Sequence, residues 1–96
     1  MPRKPINWSK CMFYRLVCRD PTITDYYVGS TCNEVDRRYK HKHACTNPKS
    51  NAYNCFVYRF IRDHGSWKNW MLIVHEKLPM NDAYEAAIRE RYWVEQ

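Results

Sequence analysis

The first apolar segments of the chain follow the pattern of paired strands. Residues 11–18 are rich in aromatic and β-branched side chains and predict a strand. Residues 19–25 contain the turn formers Asp20 and Pro21, and residues 26–29 predict a second short strand. Two strands joined by a connection of this length predict an antiparallel hairpin.

A helix is predicted directly after the hairpin. Thr31 with Glu34 three residues later has the pattern of a capping box, and Asn33 is an alternative cap. From either start the helix is predicted to end near His43. Pro48 then lies in a predicted loop.

A second helix is predicted from a stripe of apolar side chains. Their spacing places them on one helical face, and they are Tyr53, Phe56, Val57, Phe60 and Ile61. Asn51 is the candidate cap at the start, and Gly65 is the candidate residue just after the end.

A third strand and a final helix complete the pattern. Residues 69–75 predict the strand, and Asp82 with Glu85 three residues later predicts the cap of a helix that runs to the chain end. The order β-β-α-α-β-α predicts a mixed α+β fold, with a small three-stranded antiparallel sheet flanked by helices. Residues 1–10 are predicted to be a flexible arm, and residues 11–96 a single domain.

Composition excludes several classes of protein. The chain has 96 residues, of which 45% are hydrophobic and 16% aromatic, so it is not a disordered tail. Its longest aliphatic run, residues 71–74, is far shorter than a membrane span, and no apolar segment follows the basic start as in an export signal. Five cysteines without a Cys-x-x-Cys pair favour a reduced protein. We therefore expect an intracellular location, cytoplasmic or nuclear, and no membrane partner.

The positive charge is concentrated in the first two thirds of the chain. The net charge is +6, and residues 1–64 contain 12 basic and 5 acidic groups. Such an excess suits a polyanion, because neutralising phosphates releases counterions. The candidate DNA-backbone contacts are Arg38, Lys40, Lys42, Arg59 and Arg62. The alternative is a solvated helix surface, in which Glu34 pairs with Arg38 and Asp36 with Lys40.

The candidate catalytic groups lie on three predicted elements. Arg37 and His41 are four residues apart and share a helix face, which suits phosphate binding and proton transfer. Glu90 lies among apolar positions of the last helix, so its carboxylate needs a partner, either a divalent cation or an arginine such as Arg37. Tyr14 and Tyr27 on the paired strands could donate to a phosphate or exchange a proton, although strand tyrosines more often serve packing.

These residues, in this order, resemble the motifs of the GIY-YIG nuclease family. Residues 12–14 stand where the family has its first motif, with Tyr14 as the matched tyrosine. Residues 27–29 match the second motif, and Arg37 and His41 match the family arginine and histidine. The closest likeness is to compact stand-alone members found in large DNA viruses and phages.

The end of the chain carries the last part of the resemblance. Residues 85–94 are similar to the final helix of the family, with Glu90 as the metal-binding glutamate. Met12 and Phe13 replace the glycine and isoleucine of the first motif. Members usually carry an asparagine shortly after this helix, and the sequence ends at Gln96 before that point. The domain is therefore expected either to be shortened at its C-terminus or to work without that residue.

The resemblance implies a divalent-metal-dependent DNA endonuclease that hydrolyses phosphodiester bonds. One ion, Mg²⁺ or Mn²⁺, is expected at Glu90, and Arg37 is expected to hold the scissile phosphate. Tyr14 or Tyr27 would position or deprotonate the attacking water, with its pKa lowered by Arg37 and the metal. His41 would assist by hydrogen bonding or proton relay.

Two alternatives remain open at this point. The first is a catalytically impaired nucleic-acid-binding domain of the same fold. The second is a subunit that needs a protein partner for activity, although no feature of the sequence indicates one.

Overall fold

The structure is a computed structural model that describes residues 6–96, and its elements follow the predicted order. They are β1 (Met12–Cys18), β2 (Tyr26–Thr31), α1 (Glu34–Thr46), α2 (Phe56–Asp63), β3 (Trp70–Lys77) and α3 (Ala83–Val94). Two short 3₁₀ turns, Trp8–Lys10 and Trp67–Asn69, precede β1 and β3. The fold class predicted from the sequence is confirmed.

The three strands form an antiparallel sheet in the order β2-β1-β3. In the β1–β2 pair, Tyr14 lies opposite Gly29 and Leu16 opposite Tyr27. The β1–β3 pairing has an irregularity between Phe13 and Tyr14. Since β1 is central, its side chains point into the layers on both faces of the sheet.

The helices divide between the two faces of the sheet. Tyr14, Leu16 and Cys18 of β1 belong to the larger core, which Cys45 of α1 and Ile61 of α2 complete. The other face holds a smaller core, in which Cys11 and Phe13 pack with Ala86 of α3. Because the side chains of β1 alternate between the two faces of the sheet, helices pack on both faces. The molecule therefore has three layers.

The hydrogen bonds at the start of α1 show which of the two candidate residues, Thr31 or Asn33, caps the helix. The side chain of Asn33 accepts a hydrogen bond of 3.0 Å from the backbone N–H of Asp36, so Asn33 is the cap residue. Thr31 instead belongs to β2, and its hydroxyl accepts from the Asn33 backbone N–H at 3.0 Å. The Thr31 alternative was wrong because the strand continues for two residues beyond Gly29.

The start of α2 differs from the prediction. The helix begins at Phe56 after Cys55, with no side-chain cap, so Asn51 is not its cap residue. Tyr53 lies in the turns before the helix, where its carbonyl accepts a 2.6 Å hydrogen bond from Arg62. This bond holds the segment before α2 in a non-helical conformation. The predicted end is correct in that Gly65 follows the helix with a φ of +96°.

The predicted N-terminal arm is partly attached to the domain. The carbonyl of Trp8 accepts a 2.8 Å hydrogen bond from the backbone N–H of Met80, and the carbonyl of Cys11 accepts one of 3.0 Å from Leu78. The first five residues of the arm lie outside the described residues. Within residues 6–96, no helix has both the length and the apolar character needed to cross a membrane.

Candidate active site

Tyr14, the first candidate tyrosine, packs against the backbone of the neighbouring strand β2. Tyr14 is only 1% exposed, and its ring lies over the backbone of Gly29 on β2. A Cβ atom at Gly29 would overlap the phenol oxygen of Tyr14. The glycine of the second motif is therefore required by the phenol of the first, which explains why these two residue types face each other across the hairpin.

His41 is the centre of a chain of three aromatic side chains. It is 3% exposed, and its Nε2 lies 2.7 Å from the Tyr14 hydroxyl. Its Nδ1 lies 2.9 Å from the hydroxyl of Tyr58 on α2. The ring also stacks on Trp67 at a centroid distance of 6.1 Å and meets the Tyr27 ring edge-on at 6.0 Å. The imidazole is therefore fixed by partners on both of its nitrogens.

The electrostatic environment keeps the imidazole neutral. Burial and the nearby charge of Arg37 lower the pKa of His41 to about 4. At neutral pH the ring then carries one proton, so one ring nitrogen donates a hydrogen bond and the other accepts one. A neutral His41 can orient the tyrosines, but it is not a positive charge in the site.

The same environment raises the pKa of both candidate tyrosines. Burial raises the pKa of Tyr14 and of Tyr27, and the Glu90 carboxylate adds to both shifts. Arg37 lowers the pKa of each phenol, but burial has the larger effect. The charge of Arg37 alone therefore does not bring the pKa of either phenol below its usual value. Both phenols are protonated at neutral pH.

Arg37 and Glu90 line one open groove of about 1100 Å³. The groove lies between the start of α1, the end of β2 and α3. Ser30 of β2 also lines it and donates a 2.6 Å hydrogen bond to Oε2 of Glu90. Within residues 6–96 the half-buried guanidinium of Arg37 makes no ion pair or side-chain hydrogen bond. It is therefore available to an anion that enters the groove.

The surroundings of Glu90 are less apolar than the sequence suggested. Ala86 is buried and Trp93 partly buried, but Ala83, Ala87 and Val94 are exposed. The carboxylate is partnered by Ser30, a residue that the sequence analysis did not single out. No ion pair between Glu90 and Arg37 occurs among the described residues, so that alternative partner is wrong. Ser30 lies one residue before the candidate cap Thr31, and nothing in the local sequence indicates its hydrogen bond to Glu90.

The predicted DNA-contact residues differ in the side chains and carbonyls that already engage their charges. Arg38 pairs with Glu34 at 2.8 Å, and its guanidinium also donates to the carbonyl of Leu72 at 3.3 Å. Lys40 pairs with Asp36 at 3.1 Å and remains exposed. These are the helix pairs predicted for α1.

The other three predicted contacts differ in their accessibility. Lys42 and Arg59 are exposed. Arg62 is half-buried, and its guanidinium donates to the carbonyls of Cys45 and Tyr53, which lie before and after Pro48. These two hydrogen bonds make Arg62 less available to a DNA backbone than Lys42 or Arg59.

The GIY-YIG catalytic domain model matches residues 10–96, nearly the whole chain. The chain belongs to the GIY-YIG family. Members are nucleases that act on nucleic acid and generally depend on a divalent metal. No curated protein and no solved structure matches the chain.

Three acidic residues line the groove, and two of them, Glu34 and Asp36, pair with Arg38 and Lys40, which leaves the carboxylate of Glu90 for a metal. Among residues 6–96 no group of three or more His, Cys, Asp or Glu side chains could hold an ion by itself. Mg²⁺ usually binds through one or two carboxylates and keeps several waters, with substrate phosphate as a further ligand. Glu90 in an open groove beside an unpaired arginine fits that kind of site.

Proposed function

We propose that this protein is a metal-dependent DNA endonuclease that hydrolyses phosphodiester bonds in the groove between α1 and α3. The observation that carries the proposal is that Arg37, a cation with no ion pair within residues 6–96, and the carboxylate of Glu90 line the same open groove. A binding module needs the cation but gains nothing from a carboxylate that would repel phosphate.

Arg37 is proposed to hold the scissile phosphate. Its position on the first turns of α1 places the guanidinium in the groove, and its neighbours leave it free of ion pairs within residues 6–96. A guanidinium matches two phosphate oxygens and stabilises the negative charge that grows in the transition state. We expect its main effect on the rate of the chemical step rather than on substrate affinity.

Glu90 is proposed to hold one divalent ion, for which Mg²⁺ or Mn²⁺ is the expected species. Ser30 donates to one carboxylate oxygen, so it orients Glu90 and leaves the other oxygen for the ion. When bound, such an ion supplies charge stabilisation to the phosphoryl oxygens.

The two tyrosines are proposed to have different roles. Tyr27 is 39% exposed, and the charges of Arg37 and Glu90 both act on its pKa, so its hydroxyl is accessible to water and lies within the electrostatic influence of both residues. Tyr14 is fully buried and hydrogen-bonded to His41, so it does not contact the water itself and acts indirectly, through its neighbours. Because both phenols are protonated at neutral pH, Tyr27 orients the attacking water through its hydroxyl oxygen rather than acting as a preformed phenolate.

A nicking assay on supercoiled plasmid tests the proposal. We expect cleavage at low salt with Mg²⁺ or Mn²⁺ and none with EDTA. Glu90→Gln keeps an acceptor for Ser30 but removes the charge, so cleavage should fall by about a hundredfold or more. Glu95→Gln, which changes an exposed glutamate at the end of α3, is the control and should cleave like the wild type.

Two results would contradict the proposal. Cleavage that persists in EDTA would show that the reaction does not need a divalent metal. Binding of DNA without cleavage under any metal and salt condition would favour the nucleic-acid-binding domain instead.

A further inference from the structure

Two cysteines lie opposite each other where β1 begins and β2 ends. In the β1–β2 pairing Met12 lies opposite Thr31, so continuing this register by one residue brings Cys11 opposite Cys32. Cys11 is 2% exposed and belongs to the smaller core, and Cys32 packs against that core while remaining partly exposed. The proposed function gives neither thiol a role.

The two thiol groups also act on each other. Burial has the largest effect on the pKa of Cys11, and the Cys32 thiol has the next largest, through a contact between the side chains and through its charge. Together with smaller effects they raise the pKa of Cys11 to about 12. Directly opposed side chains of an antiparallel pair lie on the same face of the sheet, which is the placement that this contact requires.

The backbone spacing of an opposed pair fits a disulfide. Residues directly opposite in an antiparallel pair have Cα atoms about 4.5–5.5 Å apart. Disulfides span Cα distances of about 4.4–6.8 Å. The other three cysteines lie elsewhere, with Cys18 and Cys45 in the larger core on the opposite face of the sheet and Cys55 exposed just before α2.

One of the two thiols is open to a reagent. Cys32 lines the open groove between α1 and α3 and is partly exposed, so a small molecule in the groove can reach its sulfur. Cys11 also lines the groove but is almost fully buried. Redox-sensitive cysteines are commonly accessible thiols that lie next to a second cysteine able to complete a disulfide.

We propose that Cys11 and Cys32 form a reversible disulfide by exchange with a low-molecular-weight disulfide such as oxidised glutathione. The Cys32 thiolate attacks one sulfur of the reagent, whose S–S bond breaks and releases one glutathione thiolate. Cys11 then loses its proton and attacks the Cys32 sulfur of the mixed disulfide, which releases the second glutathione thiolate. Two electrons pass from the cysteine pair to the reagent, and the two leaving thiolates take up the two protons that the cysteines lose.

The disulfide connects the end of β2 to the start of β1 beside the groove. Cys32 lies two residues after Ser30, which donates to Glu90, and one residue before Asn33, which caps α1. The bond therefore restrains the segment that carries both of these hydrogen bonds. It also closes a loop that contains the whole hairpin, which restricts the unfolded chain and stabilises the folded one.

Incubation of the reduced full chain with oxidised glutathione tests the proposal. After the remaining thiols are blocked, trypsin separates every cysteine from the next, because it cleaves after Arg15, Arg19, Arg37 and Lys49. Mass spectrometry should then find the Cys11 peptide linked to the Cys32 peptide, and dithiothreitol should release them. The urea midpoint of unfolding should rise by at least about 0.5 M on oxidation and return on reduction.

The matched variants are Cys32→Ser and Cys55→Ser. Each removes one thiol, but Cys55 is exposed and lies outside the pair. Cys55→Ser should keep both the linked peptides and the rise in urea midpoint, and Cys32→Ser should lose both. The wild-type peptide map needs no variant, so poor folding of Cys32→Ser would not prevent the test.

Three results would overturn the proposal. The first is that Cys11 and Cys32 both remain free thiols after the treatment. The second is a glutathione adduct that stays on Cys32 without closing onto Cys11, and the third is a disulfide that joins other cysteines instead. None of these readouts depends on DNA cleavage, so they decide the fate of this cysteine pair whether or not the proposed function is correct.

Discussion

His41 acts in this molecule as a neutral hydrogen-bonding group. Its two nitrogens are both bonded to tyrosines, and burial together with Arg37 lowers its pKa from 6.5 to about 4. A histidine that cannot gain a proton near neutral pH is a poor charge carrier but a well-defined orienting group. His41 is therefore suited to orienting Tyr14 and Tyr58 rather than to carrying a charge.

The lowered pKa of His41 predicts a loss of stability in weak acid. Between pH 6.5 and about 4, the unfolded chain binds a proton at this ring that the folded chain does not. The stabilisation is therefore present above pH 6.5 and is lost as the pH falls. If the stabilisation linked to the neutral His41 ring is lost completely, the free energy of unfolding falls by about 3 kcal/mol.

Urea unfolding at pH 7 and pH 5 measures this effect. The wild type should lose more stability between the two pH values than His41→Gln, because both share all other titrating groups. An NMR titration of the His41 ring in the folded wild type is the check that needs no variant. A His41 pKa near 6.5 in the folded protein would contradict the account.

Local sequence patterns are sufficient to predict most of the elements. The aromatic and β-branched residues of β1, the apolar stripe of α2 and the Asp82 cap of α3 are all local signals. The strand β1, the helix α3 and the end of α2 lie where these signals predicted them. The start of α2 could not be predicted in this way. It depends on a hydrogen bond from Arg62 to the carbonyl of Tyr53, which forms only once the chain has turned back on itself.

The difference between the starts of α1 and α2 can be tested by substituting one asparagine near each start. Asn33→Ala removes the side chain that caps α1, so it should lower the unfolding free energy by about 1 kcal/mol. Asn51→Ala changes an exposed residue that caps no helix, so its effect should lie within about 0.5 kcal/mol of zero. Chemical denaturation of the two variants in parallel makes the comparison. Equal losses would show that α2 begins earlier than described.

The whole molecule brings together residues that the sequence places far apart. Tyr14, Arg37 and Glu90 come from three elements; Arg37 and Glu90 line one groove, and Tyr14 is buried close enough for both charges to act on its pKa. The pKa shift of Tyr14 could not be predicted from the order of the motifs, because burial depends on how the layers pack. The partners Ser30 and Tyr58 were missed for the same reason, since a serine and a tyrosine carry no signal until a hydrogen bond identifies them.

Arg37 differs from the neighbouring basic residues in what surrounds its guanidinium. Arg38, Lys40 and Arg62 are engaged by carboxylates or carbonyls, whereas Arg37 faces the groove without such a partner within residues 6–96. The net charge of +6 can attract DNA to the surface as a whole. Cleavage should depend on Arg37 far more than on that general attraction.

The most direct test is to measure DNA cleavage and DNA binding for Arg37→Gln beside Arg91→Gln. Each variant removes one positive charge, but Arg91 is an exposed residue that pairs only with Glu95 among the described residues. We predict that Arg37→Gln loses about a hundredfold or more in kcat while binding weakens only slightly, and that Arg91→Gln cleaves like the wild type. Equal, small losses in both variants would contradict the proposed active site, since Arg37 would then contribute only general positive charge.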